Sequence, residues 1–332
     1  MKFALVICTY MRPQSLLSLL YSVSNQLLYP DEILIVDGST NDDTKHTLTQ
    51  NHFPSLVYYK VDDKHRGLTK QRNFGISKVS KDTDIVCFLD DDTILEADYF
   101  KHLIHSYSLH PEALGVGGYI TNEVVWKPTV GSINSKKFYY DDWMRDEPLR
   151  FQVRKWFGLA PDTPPCYLPM FSHGRSVSFL PPSGKIYPVE HFMGGVSSYR
   201  TEVFVQLQFS SYFEGYGLYE DADFCLRLAK LGSLFVNTSA QLEHHHEASG
   251  RPNRYRYGKM VIRNGWYIWR VKYPKPTLKA MFKWHLTAIL LMKLTFLGAF
   301  KATDKKQVFL EGLGRFVGWW SLFIKKPKLD KI

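Results

Sequence analysis

The first third of the chain alternates between short apolar runs and segments with apolar side chains at helical spacing. Helical spacing is clearest over residues 15–27 and 69–79. Apolar strands separated by helices are typical of a mainly parallel sheet with helices on both faces, so the pattern predicts an α/β fold. Four apolar or β-branched runs predict the strands, at residues 3–9, 32–37, 55–60 and 84–89.

The regular pattern fades over residues 127–189, where prolines and aromatic residues are frequent. We expect long loops with short strands there. Two interpretations stay open: the stretch lines an acceptor groove, or it is an irregular insertion without a role of its own. Regularity returns in a predicted helix over residues 219–231, and a strand begins at Ser233.

The C-terminal quarter predicts helices. Residues 255–273 mix aromatic and basic side chains, and residues 309–324 combine aromatic residues with glycines. The stretch 284–300 is strongly apolar, but His285 and Lys293 interrupt it. Its 17 residues fall short of the roughly 20 that a membrane-spanning helix needs.

The composition is that of a globular protein from a reducing compartment. Of 332 residues, 45% are apolar and 22% charged, which excludes a disordered chain and a bundle of membrane spans. The four cysteines are scattered without a Cys-x-x-Cys pair, which argues against a disulfide framework or a cysteine zinc site. Residues 1–9 are typical of a strand rather than a signal peptide. We therefore expect a cytoplasmic protein.

The formal net charge of +10 is the sum of two unlike parts. Residues 251–332 carry 19 lysines and arginines against three acidic residues, a net of +16, which leaves −6 for residues 1–250. Trp319 and Trp320 stand close to Lys325 and further lysines, a combination typical of a helix in the interface of an anionic membrane. The alternative is a helical subdomain with solvated lysines. We expect no nucleic-acid partner, because no such module is present and the body is acidic.

Polar residues follow the predicted strands at the ends where parallel sheets bind ligands. Thr9, Tyr10, Asp37 and residues 90–92 should therefore converge on one crevice. Residues 90–92 are three consecutive aspartates, which repel one another unless a cation is present. Hard divalent cations prefer carboxylate oxygens, so the triplet predicts a metal site. The alternative is a solvated acidic turn.

Six segments together resemble the motifs of family 2 glycosyltransferases. Two of them come late, namely Gly194 and Gly195 followed by Arg200, and residues 219–228. The resemblance covers roughly residues 1–250. The four early segments follow the family's order and spacing, at residues 6–12, 35–42, 66–75 and 88–92.

The resemblance implies a glycosyltransferase-A fold, Rossmann-like and mainly parallel, here with a helical C-terminal extension. It also implies sugar transfer from a nucleotide-sugar with inversion, and a divalent metal, Mn²⁺ or Mg²⁺, bound by Asp92. Simpler roles stay open: Asp37 and Thr9 as helix caps, and Arg72 as a surface cation. The residues implied to bind the nucleotide-sugar are Thr9, Tyr10, Arg12, Asp37, Arg66, Gly67, Arg72, Asp90 and Asp91.

The later motifs imply the acceptor side of the site. Gly194, Gly195 and Glu220 would bind the acceptor. Asp221, at a predicted helix start, would be the general base that takes the proton of the attacking hydroxyl, with Glu220 assisting. The alternative is an ordinary acidic helix N-terminus, and Asp223 is expected to be structural.

Three histidines follow the last predicted strand. Related enzymes often place one histidine here as a further metal ligand, and His244 and His245 both fit. A zinc site is the rival interpretation, but further zinc ligands at recognisable spacing are lacking. Beyond them, Arg251 and Arg254 are either a basic flap over the diphosphate or a solvated loop.

These expectations combine into one hypothesis. Residues 1–250 would form the catalytic domain, with a nucleotide-sugar-binding half (1–125) and an acceptor-binding and catalytic-base half (126–250). Residues 251–332 would form a basic helical region that associates with a membrane. The protein would be a metal-dependent inverting glycosyltransferase that moves a sugar, from UDP by family frequency, to a hydroxyl of a glycan or lipid-linked acceptor. It would act in surface polysaccharide assembly at the inner face of the cell membrane.

Two rival functions remain. A metal-dependent nucleotidyltransferase or phosphotransferase would need a glycine-rich phosphate loop with a lysine, which residues 9–13 do not supply. A catalytically silent glycan- or membrane-binding scaffold would have no need of the acidic residues Asp90, Asp92 and Asp221.

Overall fold

The structure, a computed structural model, describes residues 1–131, 134–213, 215–246 and 252–329. The strands are β1 (Phe3–Thr9), β2 (Glu32–Asp37), β3 (Leu56–Lys60), β4 (Ile85–Asp90), β5 (Thr93–Leu95), β6 (Ala113–Ile120), β7 (Lys127–Pro128), β8 (Lys137–Tyr140), β9 (Trp143–Asp146), β10 (Ile186–Val189), β11 (Val196–Arg200) and β12 (Ser233–His244). The helices are α1 (Pro13–Ser24), α2 (Asp43–Thr49), α3 (Leu68–Ile76), α4 (Tyr99–Leu109), α5 (Leu149–Trp156), α6 (Val203–Gln206), α7 (Glu220–Leu228), α8 (Arg254–Lys272), α9 (Leu278–Ala299) and α10 (Lys305–Ile324).

The chain divides by packing into two compact units. The first comprises Met1–Val125 and Leu180–Gly250, and the second comprises Trp126–Phe179 and Arg251–Ile332. Both units are therefore discontinuous in sequence, unlike the contiguous division at residue 250 expected from the resemblance. That division, as an assignment of functions, stays a prediction.

A mixed sheet forms the centre of the first unit. Within the described residues it has nine strands in the order β10-β12-β6-β11-β4-β1-β2-β3, with β5 paired to β12. Strands β3, β2, β1 and β4 are parallel to one another, as are β6 and β12, whereas β11, β10 and β5 run antiparallel to their neighbours. The sheet is thus mainly parallel where the predicted strands lie.

Helices cover both faces of this sheet. Residues 3–7 of β1 are no more than 1% exposed, because each face of the strand is covered. Leu5 and Ile7 belong to a core cluster that includes side chains of α1 and α4. On the other face, Gly75 of α3 lies so close to Val6 that a Cβ there would be 2.5 Å from Val6 Cγ1. The predicted fold class is therefore confirmed.

The second unit combines a small sheet with the C-terminal helices. Strands β7, β9 and β8 form its sheet, and α5 lies within the stretch that the sequence pattern predicts as loops and short strands. The stretch Trp126–Phe179 packs on α8 and α9. Trp269 Nε1 of α8 donates a hydrogen bond to Met170 O at 2.9 Å, and the ammonium group of Lys283 in α9 lies 4.4 Å from the centre of the Phe171 ring.

The predicted C-terminal helices are present as α8, α9 and α10. Helix α9 begins earlier than the apolar run at 284–300, because the Thr277 side chain caps it by accepting a hydrogen bond from Ala280 N. In the part of the chain that the structure describes, α9 is the one helix whose length and composition would allow it to cross a membrane.

Candidate active site

The carboxyl ends of β1, β2 and β4 meet at one edge of the sheet, as the strand-end residues predict. In the parallel register, Thr9 pairs with Asp37 and Cys8 pairs with Asp90. Strand β5 pairs with the end of β12, which sets His244 opposite Thr93. The register thus brings together residues that lie far apart in the sequence.

Asp91 joins the loop after β1 to the loop after β4. Its Oδ2 accepts a hydrogen bond from the Thr9 hydroxyl at 2.6 Å, and its Oδ1 lies 3.0 Å from Arg12 Nη1. Burial raises the pKa of Asp91 to about 6, although Thr9 and Arg12 oppose the shift. Arg12 also reaches Asp92, at 3.5 Å. Three of the predicted nucleotide-binding residues are therefore bonded to one another.

Asp37 is buried, and its carboxylate has partners within the protein. Its Oδ1 accepts a hydrogen bond from Ser39 N and its Oδ2 accepts one from the Tyr58 hydroxyl, both at 2.8 Å. The simpler role of helix cap is wrong for Asp37 and Thr9, because Asp42 precedes α2 and Arg12 precedes α1.

Arg66 and Gly67 lie in the loop before α3. Tyr10, the residue after β1, is exposed. Arg66 Nε donates to Gly38 O at 2.6 Å, and its guanidinium also contacts Asp63. Gly67 has φ 119°, a left-handed backbone conformation that favours glycine.

Gln71 braces this edge of the sheet, although its role is not predicted from the sequence. Its Nε2 donates to Thr9 O at 3.1 Å and to Val36 O at 2.8 Å, while its Oε1 accepts from Gly67 N at 3.2 Å. One side chain therefore connects the ends of β1 and β2 to the start of α3.

Arg72 is buried, which rules out the alternative of a surface cation. Its guanidinium contacts the Glu220 carboxylate, and its Nη2 lies 3.6 Å from Asp90 Oδ1. The group also lies 5.6 Å from the ring centre of Phe88 and 5.2 Å from that of Phe209. One buried cation thus ties the end of β4 to the start of α7.

Glu220 is buried at the start of α7. Burial raises its pKa to about 8, with Arg72 opposing the shift. Its Oε2 has no hydrogen-bond partner within the described residues, and an orphaned buried oxygen can accept a bond from a ligand. The preceding Tyr219 has φ 71°, a strained conformation of a kind that clusters at functional sites.

Gly194 and Gly195 lie between Asp221 and Asp90. Asp221 Oδ2 accepts a hydrogen bond from Gly194 N at 3.2 Å, and Gly195 O accepts one from Asp90 N at 3.0 Å. A Cβ at Gly195 would lie 2.0 Å from Asp90 Oδ2, and one at Gly194 would lie 2.5 Å from Glu220 Oε1. The two glycines therefore allow these carboxylates to approach the chain closely.

Asp90, Asp92 and His244 place three potential ligand atoms within 4.8 Å of one another. His244 Nε2 lies 3.1 Å from Asp92 Oδ1. Burial alone would lower the pKa of His244, but its bonds to Asp92 and Glu123 outweigh that effect and raise it to about 10. The carboxylates thus favour a positive charge at this point, and two carboxylates with an imidazole fit Mn²⁺ or Mg²⁺.

The two histidines predicted as metal ligands, His244 and His245, have different partners in the structure. Whereas His244 faces Asp92, the ring of His245 is turned away, with Nε2 2.9 Å from Glu243 Oε2. Asp90, predicted to contact the nucleotide, also belongs to the potential ligand group, and its nucleotide contact stays a prediction. Of the predicted flap, Arg251 lies outside the described residues.

Asn122 and Glu123, neither of which is predicted from the sequence, hold His244 in place. Glu123 Oε1 lies 3.2 Å from His244 Nδ1. Asn122 accepts a bond from His244 N at 3.0 Å and donates one to His244 O at 3.1 Å. Both residues follow β6 closely, but the sequence pattern does not predict this strand, so no strand-end position marks them.

A model of the family described as "Glycosyl transferase family 2" matches residues 4–172. The chain is 28% identical over 145 residues to glucosyl-dolichyl phosphate glucuronosyltransferase of Haloferax volcanii, covering 42% of this chain and 44% of that one. It is 28% identical over 109 residues to the O-antigen chain rhamnosyltransferase RfbN of Salmonella typhimurium, covering 32% of this chain and 34% of that one. The match thus spans less than half the length of either relative.

Solved structures share the fold. The crystal structure of S. aureus TarS 1-349 superposes with a TM-score of 0.51 at 15% identity, covering 96% of this chain and 81% of that one. The crystal structure of GalNAc-T7 with UDP, GalNAc and Mn²⁺ gives a TM-score of 0.50 at 14% identity, covering 78% and 47%. At these identities the likeness shows the fold alone.

Proposed function

The chain belongs to glycosyl transferase family 2, and on that premise we propose that it transfers a sugar from a nucleotide-sugar to a hydroxyl group of a glycan or lipid-linked acceptor. One observation carries the proposal. Asp221 contacts Gly194, and Asp90 contacts the next residue, Gly195. The carboxylate suited to accept a proton and one member of the group suited to a cation therefore contact two adjacent residues.

The nucleotide-sugar is assigned to the edge where β1, β2 and β4 end. Ligands bind at this edge in parallel sheets. The exposed ring of Tyr10 offers a surface on which a base can stack, and Asp37 and Arg66 border the loop after β2. Arg12 and Asp91 then act mainly by holding the two strand-end loops together.

A divalent cation, Mn²⁺ or Mg²⁺, bound by Asp90, Asp92 and His244 would supply positive charge to the departing diphosphate. The ligand atoms of these three residues lie close together, which supports the assignment. GalNAc-T7, which shares the fold, was crystallised with UDP and Mn²⁺. We therefore take a UDP-hexose or UDP-N-acetylhexosamine as the donor.

Asp221 accepts the proton that the acceptor hydroxyl loses as it attacks the anomeric carbon. Two backbone N–H groups, one of them from Gly194, hold its carboxylate in place. Burial raises the pKa of Asp221, which makes its carboxylate a stronger base. Glu220, held by Arg72, offers its unpaired Oε2 to another hydroxyl of the acceptor. Attack from the face opposite the diphosphate inverts the anomeric carbon.

The acceptor is assigned to a surface polysaccharide or its lipid-linked precursor, and the reaction to the cytoplasmic face of the cell membrane. Two relatives support this class, since one is named for glucosyl-dolichyl phosphate and the other for an O-antigen chain. The net charge of +16 beyond residue 250 supports the membrane location.

A screen of nucleotide-sugars with Mn²⁺ or Mg²⁺ tests the reaction. We expect release of the nucleoside diphosphate from one UDP-sugar, dependent on the cation and lost in Asp92→Asn. Asp162→Asn, which changes an exposed aspartate of the second unit, is the matched control and should keep full activity. Turnover that persists after chelation, or that Asp92→Asn retains, would contradict the proposal.

A further inference from the structure

Helix α10 exposes its large apolar side chains, which is the reverse of the pattern expected for a surface helix. A surface helix of a soluble protein buries its large apolar side chains and exposes polar ones. Along α10 large apolar side chains recur on one side, mostly three or four residues apart, and are 37% to 78% exposed. This exposed stripe consists of Phe309, Leu313, Phe316, Trp320, Phe323 and Ile324.

The side of α10 that packs against α8 carries small residues instead. A Cβ at Gly314 would lie 2.0 Å from Tyr255 O, and one at Gly258 of α8 would lie 2.1 Å from Glu311 O. Gly318, one turn after Gly314, is buried in the same contact. Close backbone approach through glycines four residues apart is a packing mode typical of helices in lipid. It leaves the exposed stripe on the outer side of α10, although Phe309 and Phe323 also contact rings of α9.

The charged residues of α10 also differ in exposure, with the acidic residue buried and the flanking lysines exposed. Its one acidic residue, Glu311, is buried and pairs with Arg254 at 3.0 Å and with Arg315 at 2.8 Å. No carboxylate therefore interrupts the exposed stripe. Exposed lysines flank it at both ends, namely Lys305, Lys306, Lys325, Lys326 and Lys328.

We propose that the exposed stripe of α10 docks on an anionic lipid bilayer, with the helix lying in the membrane interface. The aromatic side chains enter the boundary between headgroups and acyl chains, and the flanking lysines contact anionic headgroups. The proposal rests on the membrane location proposed above, and it is independent of the sugar-transfer chemistry.

Charge complementarity favours a lipid surface over a second copy of this chain. If two copies packed through the exposed stripe, in either direction, the lysines at the ends of one α10 would meet those of the other. Like charges brought together in this way repel. An anionic bilayer offers apolar acyl chains to the exposed stripe and negative headgroups to the lysines at both of its ends.

Flotation of the full chain with vesicles tests the proposal. The chain should float with vesicles of phosphatidylcholine and phosphatidylglycerol, but far less with phosphatidylcholine alone. An alkaline carbonate wash should release it, because an interfacial helix does not span the bilayer. The double variant Phe316→Ser/Trp320→Ser should lower the partition coefficient about tenfold or more.

The matched control is Leu149→Ser/Val205→Ser, which changes two apolar residues on α5 and α6 that are more exposed than Phe316 and Trp320, and it should float like the wild type. Circular dichroism and thermal unfolding establish that both variants are folded. Asp92→Asn should lose sugar transfer and still float, so that a failure of the reaction and a failure of docking are told apart.

Three results would overturn the proposal. Undiminished flotation of Phe316→Ser/Trp320→Ser would show that the exposed stripe does not bind lipid. Retention of the wild type through the carbonate wash would indicate a spanning segment instead. Dimerisation without flotation, abolished by the same double variant, would assign the stripe to a second copy.

Discussion

His244 contacts a carboxylate with each of its ring nitrogens, Nε2 with Asp92 and Nδ1 with Glu123. At metal sites, a carboxylate on the far nitrogen fixes the tautomer and the orientation of the ring. The sequence pattern marks Asp92 by its triplet, and the family resemblance leaves both His244 and His245 as candidate ligands. Glu123 is harder to find, because a lone glutamate after a strand has no distinctive spacing.

Removing Glu123 should weaken cation binding although no proposed ligand is lost. We expect Glu123→Ala to lower the affinity for Mn²⁺ in the presence of UDP about 10- to 100-fold, measured by calorimetric titration. Glu243→Ala is the matched control, because Glu243 contacts His245 rather than His244. If both variants bind Mn²⁺ as tightly as the wild type, Glu123 does not position the ligand.

The proton-accepting role of Asp221 ties the rate to pH. Burial raises the pKa of Asp221, and only the ionised carboxylate accepts a proton. At saturating donor and cation, the initial rate should rise with pH as this carboxyl group ionises, at a pH above the ordinary range of an aspartate, and should then level off. In Asp221→Asn the residual rate should be about 10²- to 10⁴-fold lower, without this rise. A wild-type rate that falls as the pH is raised from the acidic side would count against the assignment.

At the scale of elements, predictability follows the strength of the local pattern. Strands β1 and β2 have the predicted bounds, because continuous apolar runs between loops leave little ambiguity. Helix α5 is not predicted, since its eight residues are too few to establish a period. The sequence of α10 shows that it is apolar and rich in glycine. Which side faces outward is decided by its packing on α8, which no local pattern contains.

Because glycines allow α8 and α10 to approach closely, adding a single methyl group at this contact should lower the stability of the protein markedly. A Cβ at Gly314 would lie 2.0 Å from Tyr255 O, so Gly314→Ala must push the two helices apart. We expect it to lower the free energy of unfolding by about 1 to 3 kcal/mol in chemical denaturation.

Gly298→Ala in α9 is the control, because a Cβ added there would meet no atom of the described residues within 4 Å. In a helix, alanine is favoured over glycine, so this variant should be neutral or more stable by up to about 1 kcal/mol. Equal stability of Gly314→Ala and the wild type would show that α8 and α10 do not approach as closely as described.

At the scale of the whole molecule, the net charge of +10 is split between a residue range of −6 and one of +16. The acidic range contains the proposed site, with Asp90, Asp92 and Asp221. The basic range contains α10 and its flanking lysines. Sequence alone shows this split. It does not show that residues 126–179 fold with the basic range, because that grouping depends on contacts between distant segments, such as that of Trp269 with Met170.

The central claim is that one site binds a cation and a nucleotide-sugar while a separate carboxylate accepts the proton. Measuring UDP-sugar binding with Mn²⁺ and turnover together, in the wild type, Asp92→Asn and Asp221→Asn, tests it most directly. We expect Asp221→Asn to bind within about threefold of the wild type and to turn over at least about 100-fold more slowly. Asp92→Asn should lose cation-dependent binding. Full turnover by Asp221→Asn, or loss of binding in that variant to the extent seen in Asp92→Asn, would contradict the account.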